Sequence, residues 1–140
     1  MGRVSPPRVL VVDDHAMLRE ALVELLVQAG FEVAGEAADG ADAVALAKQL
    51  APDVVLMDLR MPVLGGLDAT RLIRDACPAT QVVLLTAFES PALQREAEDA
   101  GCFAYLVKGA PPGTIRLALD KAAAGRRSAL PPAGSAPVDA

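Results

Sequence analysis

Residues 53–62 read Asp53-Val54-Val55-Leu56-Met57-Asp58-Leu59-Arg60-Met61-Pro62. Four consecutive apolar side chains between Pro52 and a terminal aspartate are too short for a helix. They fit a parallel strand covered on both faces. Such a strand ends on a carboxylate at Asp58, which places charge just outside an apolar layer. The reading predicts a strand over Asp53–Asp58, and its neighbours in sequence decide what kind of sheet holds it.

Working outward, four more apolar runs recur: Arg8–Asp13, Phe31–Ala37, Gln81–Thr86 and Phe103–Val107. Between the first two, Leu18, Leu22, Leu25 and Ala29 repeat at helical spacing opposite Arg19, Glu20, Glu24 and Gln28, with Gly30 as the stop. Gly40–Ala51 is predicted helical after an Asp39-Gly40 turn, and Gly65–Ala76 before Pro78. Ser90 is the candidate N-cap and Pro91 the first residue of a fourth helix. Its stripe of Leu93, Ala97 and Ala100 is thin, so it is expected to be the least firmly anchored. A fifth helix is predicted from Pro112 to Ala124.

Five βα units imply an α/β fold, a doubly wound five-stranded parallel sheet of flavodoxin-like order 2-1-3-4-5. The expected organisation is an N-terminal arm over 1–7, one folded domain over 8–125, and a Pro/Ala-rich linker or tail over 126–140.

Composition narrows the function. The chain has 140 residues, 13 basic and 18 acidic side chains, a net charge of -5 and 53% hydrophobic residues. At this size an apolar core suffices without disulfides or a structural metal. No basic block marks a nucleic-acid surface, no stretch is long and apolar enough to span a membrane, and Met1–Pro7 lacks a signal-peptide core. A cytoplasmic location is expected. Cys77 and Cys102 are expected to be small buried hydrophobes. His15 is the only histidine, expected at the surface near a helix start, which removes most histidine-centred catalysis.

In an open α/β sheet the ligand lies beyond the carboxyl ends of the strands at the topological switch point. Asp13-Asp14, Asp58, Thr86 and Lys108 all fall at such ends. Three carboxylates together repel, and a hard divalent ion, best Mg²⁺, resolves the conflict. A hydroxyl and an ammonium added to that set match a phosphoryl group, and Asp58 is the natural carboxylate nucleophile. An Asp pair at a strand end can instead do no more than cap the next helix. A nucleotide-binding oxidoreductase needs glycines after the first strand that Asp13-Asp14-His15-Ala16 lacks. A phosphatase of the haloacid dehalogenase type needs Asp-x-Asp rather than adjacent aspartates.

The segments Val11-Val12-Asp13-Asp14, Val55–Pro62 with Gly66, Leu84-Leu85-Thr86-Ala87 and Tyr105-Leu106-Val107-Lys108 resemble the receiver domain of bacterial two-component response regulators, over residues 8 to 124. The resemblance implies phosphoryl transfer to Asp58 from a sensor histidine kinase. It implies Mg²⁺ on Asp14, Asp58 and the Arg60 carbonyl, supported by Asp13. Thr86, Lys108 and the Ala87 backbone would hold the phosphoryl oxygens, and Tyr105 would follow Thr86 as a switch aromatic. Arg60 and Phe88 would overhang the group and tune its lifetime. Self-dephosphorylation is then expected to be slow, the protein a switch rather than a turnover enzyme.

Asp13-Asp14-His15 with Arg19, and Ala124-Gly125 leading to Leu130-Pro131, look like the subfamily with a LuxR-type helix-turn-helix. That implies a transcriptional output domain absent from this chain, with a possible homodimer on phosphorylation. A free-standing receiver acting by protein contacts, or a degenerate one never phosphorylated, are the nearest alternatives. Gly109 departs from the proline many receivers carry there, which leaves the isomer of the Lys108-Gly109 bond open.

Overall fold

The computed structural model describes residues 5–129, with side chains through 126. Five strands alternate with five helices: β1 Arg8–Val12, α1 Ala16–Gln28, β2 Glu32–Ala37, α2 Gly40–Leu50, β3 Val54–Asp58, α3 Gly66–Ala76, β4 Gln81–Thr86, α4 Pro91–Ala100, β5 Ala104–Val107 and α5 Pro112–Ala129. All pairings are parallel and the order is β2-β1-β3-β4-β5, as the sequence predicts. The continuous apolar runs become the three central strands. Every residue of β3, and all of β4 but Gln81, is buried.

Alternate side chains of those strands feed two cores. Leu10, Val12, Val55, Met57, Val82 and Leu84 pack under α2, α3 and α4, whereas Val9, Val11, Val54, Leu56, Val83 and Leu85 pack under α1 and α5. Helix ends follow local chemistry. After α1, Phe31 N–H donates to the Leu26 carbonyl and Gly30 N–H to that of Val27, with Gly30 at φ 92. This is a Schellman stop, and it needs the left-handed conformation that glycine adopts without a Cβ penalty. Helix α4 starts on the Ser90 cap and Pro91, and buries only Ala97 and Ala100, the thin anchorage its sequence implies.

Two local readings change, and one that the sequence left open is answered. Helix α5 runs to Ala129, not Ala124, because Arg126 is tied back to the sheet: its Nη1 lies 3.4 Å from Asp53 Oδ1 at the start of β3. Residues Arg126–Ala129, placed in the tail by composition, are therefore helical. Leu130 and Pro131, like the arm residues 1–4, lie outside the described residues. The cysteines are half-buried and free rather than fully interior. Both sit at helix ends, Cys77 capping α3 and Cys102 following the Gly101 stop of α4, where coverage is partial. The Lys108-Gly109 bond is trans, as no described peptide bond is cis.

Candidate functional site

The switch point lies between β1 and β3, and the carboxyl ends of these two strands carry the acidic residues. Asp58 ends β3 and is buried. Asp13 follows β1, extends its pairing by donating its N–H to the Ala37 carbonyl at 3.1 Å, and is fully buried. Asp14 turns outward and is exposed. One carboxylate oxygen from each of the three lies within 4.8 Å of the others. The helix cap in this loop is His15, whose Nδ1 accepts from Leu18 N–H at 3.4 Å, so neither aspartate is spent on capping α1. Asp13 Oδ1 instead accepts from His15 N–H at 2.8 Å.

Among the described residues, one side-chain cation pairs with these carboxylates. Lys108, just past β5, places Nζ 3.0 Å from Asp58 Oδ2 and 3.4 Å from Asp13 Oδ2. Partial burial pulls the Lys108 pKa down, but the hydrogen bond and charge of Asp58, followed by those of Asp13, outweigh it. The ammonium is held above its ordinary 10.5. Lys108 N–H also donates to the Thr86 carbonyl at 2.6 Å, which locks the ends of β4 and β5 in step. Gly109 follows at φ 93, a conformation closed to proline with its φ near −65°. The common proline could not replace it without reshaping this loop.

Thr86 ends β4 and is buried, its Oγ1 accepting from Phe88 N–H at 3.3 Å. Tyr105 lies on β5 opposite Leu84, half-buried against the α4 side of the core, and donates its hydroxyl to the Phe88 carbonyl at 3.1 Å. Phe88 therefore joins the two side chains that the receiver resemblance pairs as a switch. Ala87 is exposed between Thr86 and Phe88. Arg60 donates its N–H to Asp58 Oδ1 at 3.3 Å, which keeps its main chain at the site, and its guanidinium lies over the Phe88 ring.

The loop after Asp58 carries two features the sequence did not disclose. Val63 has φ 68, and Leu64 N–H reaches back to the Pro62 carbonyl, a tight turn strained for a β-branched residue. The helix start predicted at Gly65 does not locate the strain. Gly66 itself is forced by close approach, because a Cβ there would lie 2.5 Å from the Asp58 carbonyl oxygen.

The donor set suits a hard divalent cation. Its side-chain donors are all carboxylate oxygens, and Asp13 Oδ2 is buried with no hydrogen-bond partner, although Lys108 stands close. Lys108 offsets part of the charge on this buried oxygen, and a divalent cation would satisfy it more fully.

Comparison with known proteins identifies the architecture. Residues 9–120 match the family model described as response regulator receiver domain. The chain belongs to the response regulator receiver family. It is 40% identical over 114 residues to the chemotaxis protein CheY of Thermotoga maritima, covering 81% of this chain and 95% of that one. It is 47% identical over 103 residues to the transcriptional regulatory protein PdtaR of Mycobacterium tuberculosis, covering 74% and 50%. Among solved structures, a LuxR-family two-component response regulator from Aurantimonas sp. SI85-9A1 superposes with a TM-score of 0.82 at 36% identity, covering 87% of this chain and 88% of that one. The chain spans about half the length of the first curated relatives it matches. Receivers are signalling domains of two-component systems rather than turnover enzymes, and they bind Mg²⁺ at an acidic pocket of this kind. Among the described residues no helix is long and apolar enough to cross a membrane.

Proposed function

We propose that Asp58 accepts a phosphoryl group from the phosphohistidine of a sensor histidine kinase. A carboxylate oxygen of Asp58 attacks phosphorus, the P–N bond breaks, and the imidazole leaves with the bonding pair and takes up a proton. Asp14, Asp58 and the Arg60 carbonyl, supported by Asp13, would hold Mg²⁺, which when bound offsets negative charge on the phosphoryl oxygens. Lys108, Thr86 and the Ala87 N–H supply the remaining donors. The observation that carries this reading is the position of Asp58: buried at the switch point, one oxygen on Lys108 Nζ at 3.0 Å and the other held by Arg60 N–H. Incubation with acetyl phosphate tests it. Intact-mass spectrometry should show one added phosphoryl group with Mg²⁺ and none with excess EDTA, and equal labelling in both would refute the metal dependence.

The same geometry supports a switch. When Thr86 Oγ1 turns to the phosphoryl group it gives up Phe88 N–H, and the Phe88 carbonyl carries the Tyr105 hydroxyl. Loss of one bond disturbs the other, and the surface of α4, β5 and α5 changes. The thin anchorage of α4 lowers the cost of that change.

We further propose a transcriptional output domain following this chain, supported by the LuxR-family relative and by α5 continuing past the receiver core. The near-complete coverage of a CheY supports the free-standing alternative. The reading frame beyond residue 140 decides between them: a helix-turn-helix supports the first and a stop codon the second. Sedimentation of the phosphorylated protein tests whether it pairs.

A further inference from the structure

Arg19 lies in the first turns of α1, and its side chain is only 21% exposed. Its guanidinium forks: Nη1 donates to the Asp13 carbonyl at 2.7 Å, and Nε pairs with Glu36 Oε1 at 3.2 Å on β2. The chain thus spends a partly buried, two-ended cation on one loop peptide. That peptide joins the two adjacent aspartates.

The two acids depend on it unequally. The Asp13 side chain is held by His15 N–H and by Lys108, independently of Arg19. Asp14 makes no hydrogen bond or ion pair among the described residues, so its main chain alone places its Cβ and the region its carboxylate can reach. The Asp13-Asp14 peptide is planar and rigid, so fixing its carbonyl oxygen fixes the amide nitrogen of Asp14 and the vector to its Cα. Asp13 N–H, donated to Ala37, anchors the residue on one side, and Arg19 anchors the far side.

We propose that Arg19 is a positioning residue for the divalent-cation site, holding Asp14 in place through the Asp13 carbonyl and bracing that hold on Glu36. The inference rests on the Mg²⁺ reading of the Asp13, Asp14 and Asp58 cluster. It competes with a simpler effect of opposite sign. A cation bound to the main chain beside the acidic cluster opposes Mg²⁺ by its charge alone, so on that ground removing it would tighten binding. Pairing with Glu36 offsets much of that charge, and preorganisation of the ligand dominates. A lysine keeps the charge but has a single head that cannot span both acceptors in the planar geometry of a guanidinium.

Isothermal titration of Mg²⁺ into the metal-free protein separates these effects, with thermal unfolding of each metal-free variant followed by circular dichroism. Arg19→Ala should weaken Mg²⁺ binding about tenfold, the lower end of what loss of a supporting partner costs a metal site. Arg19→Lys should also weaken it, by severalfold, and provides the reading if the alanine variant does not fold. Unchanged or tighter Mg²⁺ binding in the folded variants would overturn the proposal, including the case where only thermal stability falls. If the wild-type protein binds no Mg²⁺, or Asp14→Asn and Asp58→Asn leave its affinity untouched, the cation reading fails instead.

Discussion

The Arg60 guanidinium carbon lies 5.2 Å from the centroid of the Phe88 ring, so residues from the β3–α3 and β4–α4 loops, two positions after Asp58 and Thr86, meet in space. Phe88 is 55% exposed, which places this cation–π contact at the weak end, about 1 kcal/mol or less. The receiver resemblance implies that this apolar ring would overhang a phosphoryl group on Asp58 and obstruct attacking water. Phe88→Ala should therefore shorten the lifetime of the phosphorylated protein, by up to about fivefold if a contact of that size is fully lost. Decay followed by phosphate release checks this, and an unchanged rate would remove Phe88 from any role in lifetime.

Lys108 gives a pH prediction. Its folded pKa is raised, so the stability its ion pairs contribute is complete below the ordinary value of 10.5 and is lost as pH rises through the higher folded value. In Mg²⁺-free buffer the difference in melting temperature between the wild type and Lys108→Met should be flat from about pH 7 to 9 and shrink only in the alkaline range above the ordinary lysine pKa. The same variant should bind Mg²⁺ more tightly, since the ammonium occupies the oxygens of Asp58 and Asp13. Weaker binding would show that Lys108 organises the acids rather than competing for them.

Cys102 should be a slow thiol. Burial, helped by the charge of Glu98 and opposed by a backbone hydrogen bond, pushes its pKa from 9.0 to about 11. Two units mean about a hundredfold less thiolate at neutral pH, and the thiolate is the nucleophile. Peptide mapping after brief iodoacetamide treatment should find Cys102 alkylated about a hundredfold more slowly than an unstructured cysteine peptide, a gap that a fast-reacting Cys102 would contradict.

Gly66 should tolerate no side chain. An alanine Cβ would lie 2.5 Å from the Asp58 carbonyl oxygen and 2.9 Å from Leu59 Cα, both main-chain atoms that cannot swing aside. Gly66→Ala should cost about 1–3 kcal/mol by overpacking, read by urea unfolding, and should weaken Mg²⁺ binding because the strand end carrying Asp58 must shift. A variant of wild-type stability would mean the loop relaxes without moving Asp58.

The fold was readable because its central strands are buried on both faces, and such strands must be continuous Val and Leu runs. The run ending in Asp58 could be nothing else once Pro52 and Pro62 bounded it. The site was readable for a related reason, since chemistry sits where strands end, and strand ends are visible in sequence. Features that depend on distant partners were hidden. Composition ended α5 before Gly125, yet that glycine faces the Phe103 ring, and Arg126 reaches Asp53 across the sheet. Neither contact leaves a local signal. The same holds for Arg19, whose two acceptors, Asp13 and Glu36, come together only when β1 and β2 pair.

The central claim is that Asp58 is the phosphoacceptor, and intact-mass spectrometry of Asp58→Asn tests it most directly. With acetyl phosphate and Mg²⁺, the wild-type protein should gain one phosphoryl group and the folded variant none. Undiminished labelling of the variant would contradict the account and move the phosphoryl group to another residue.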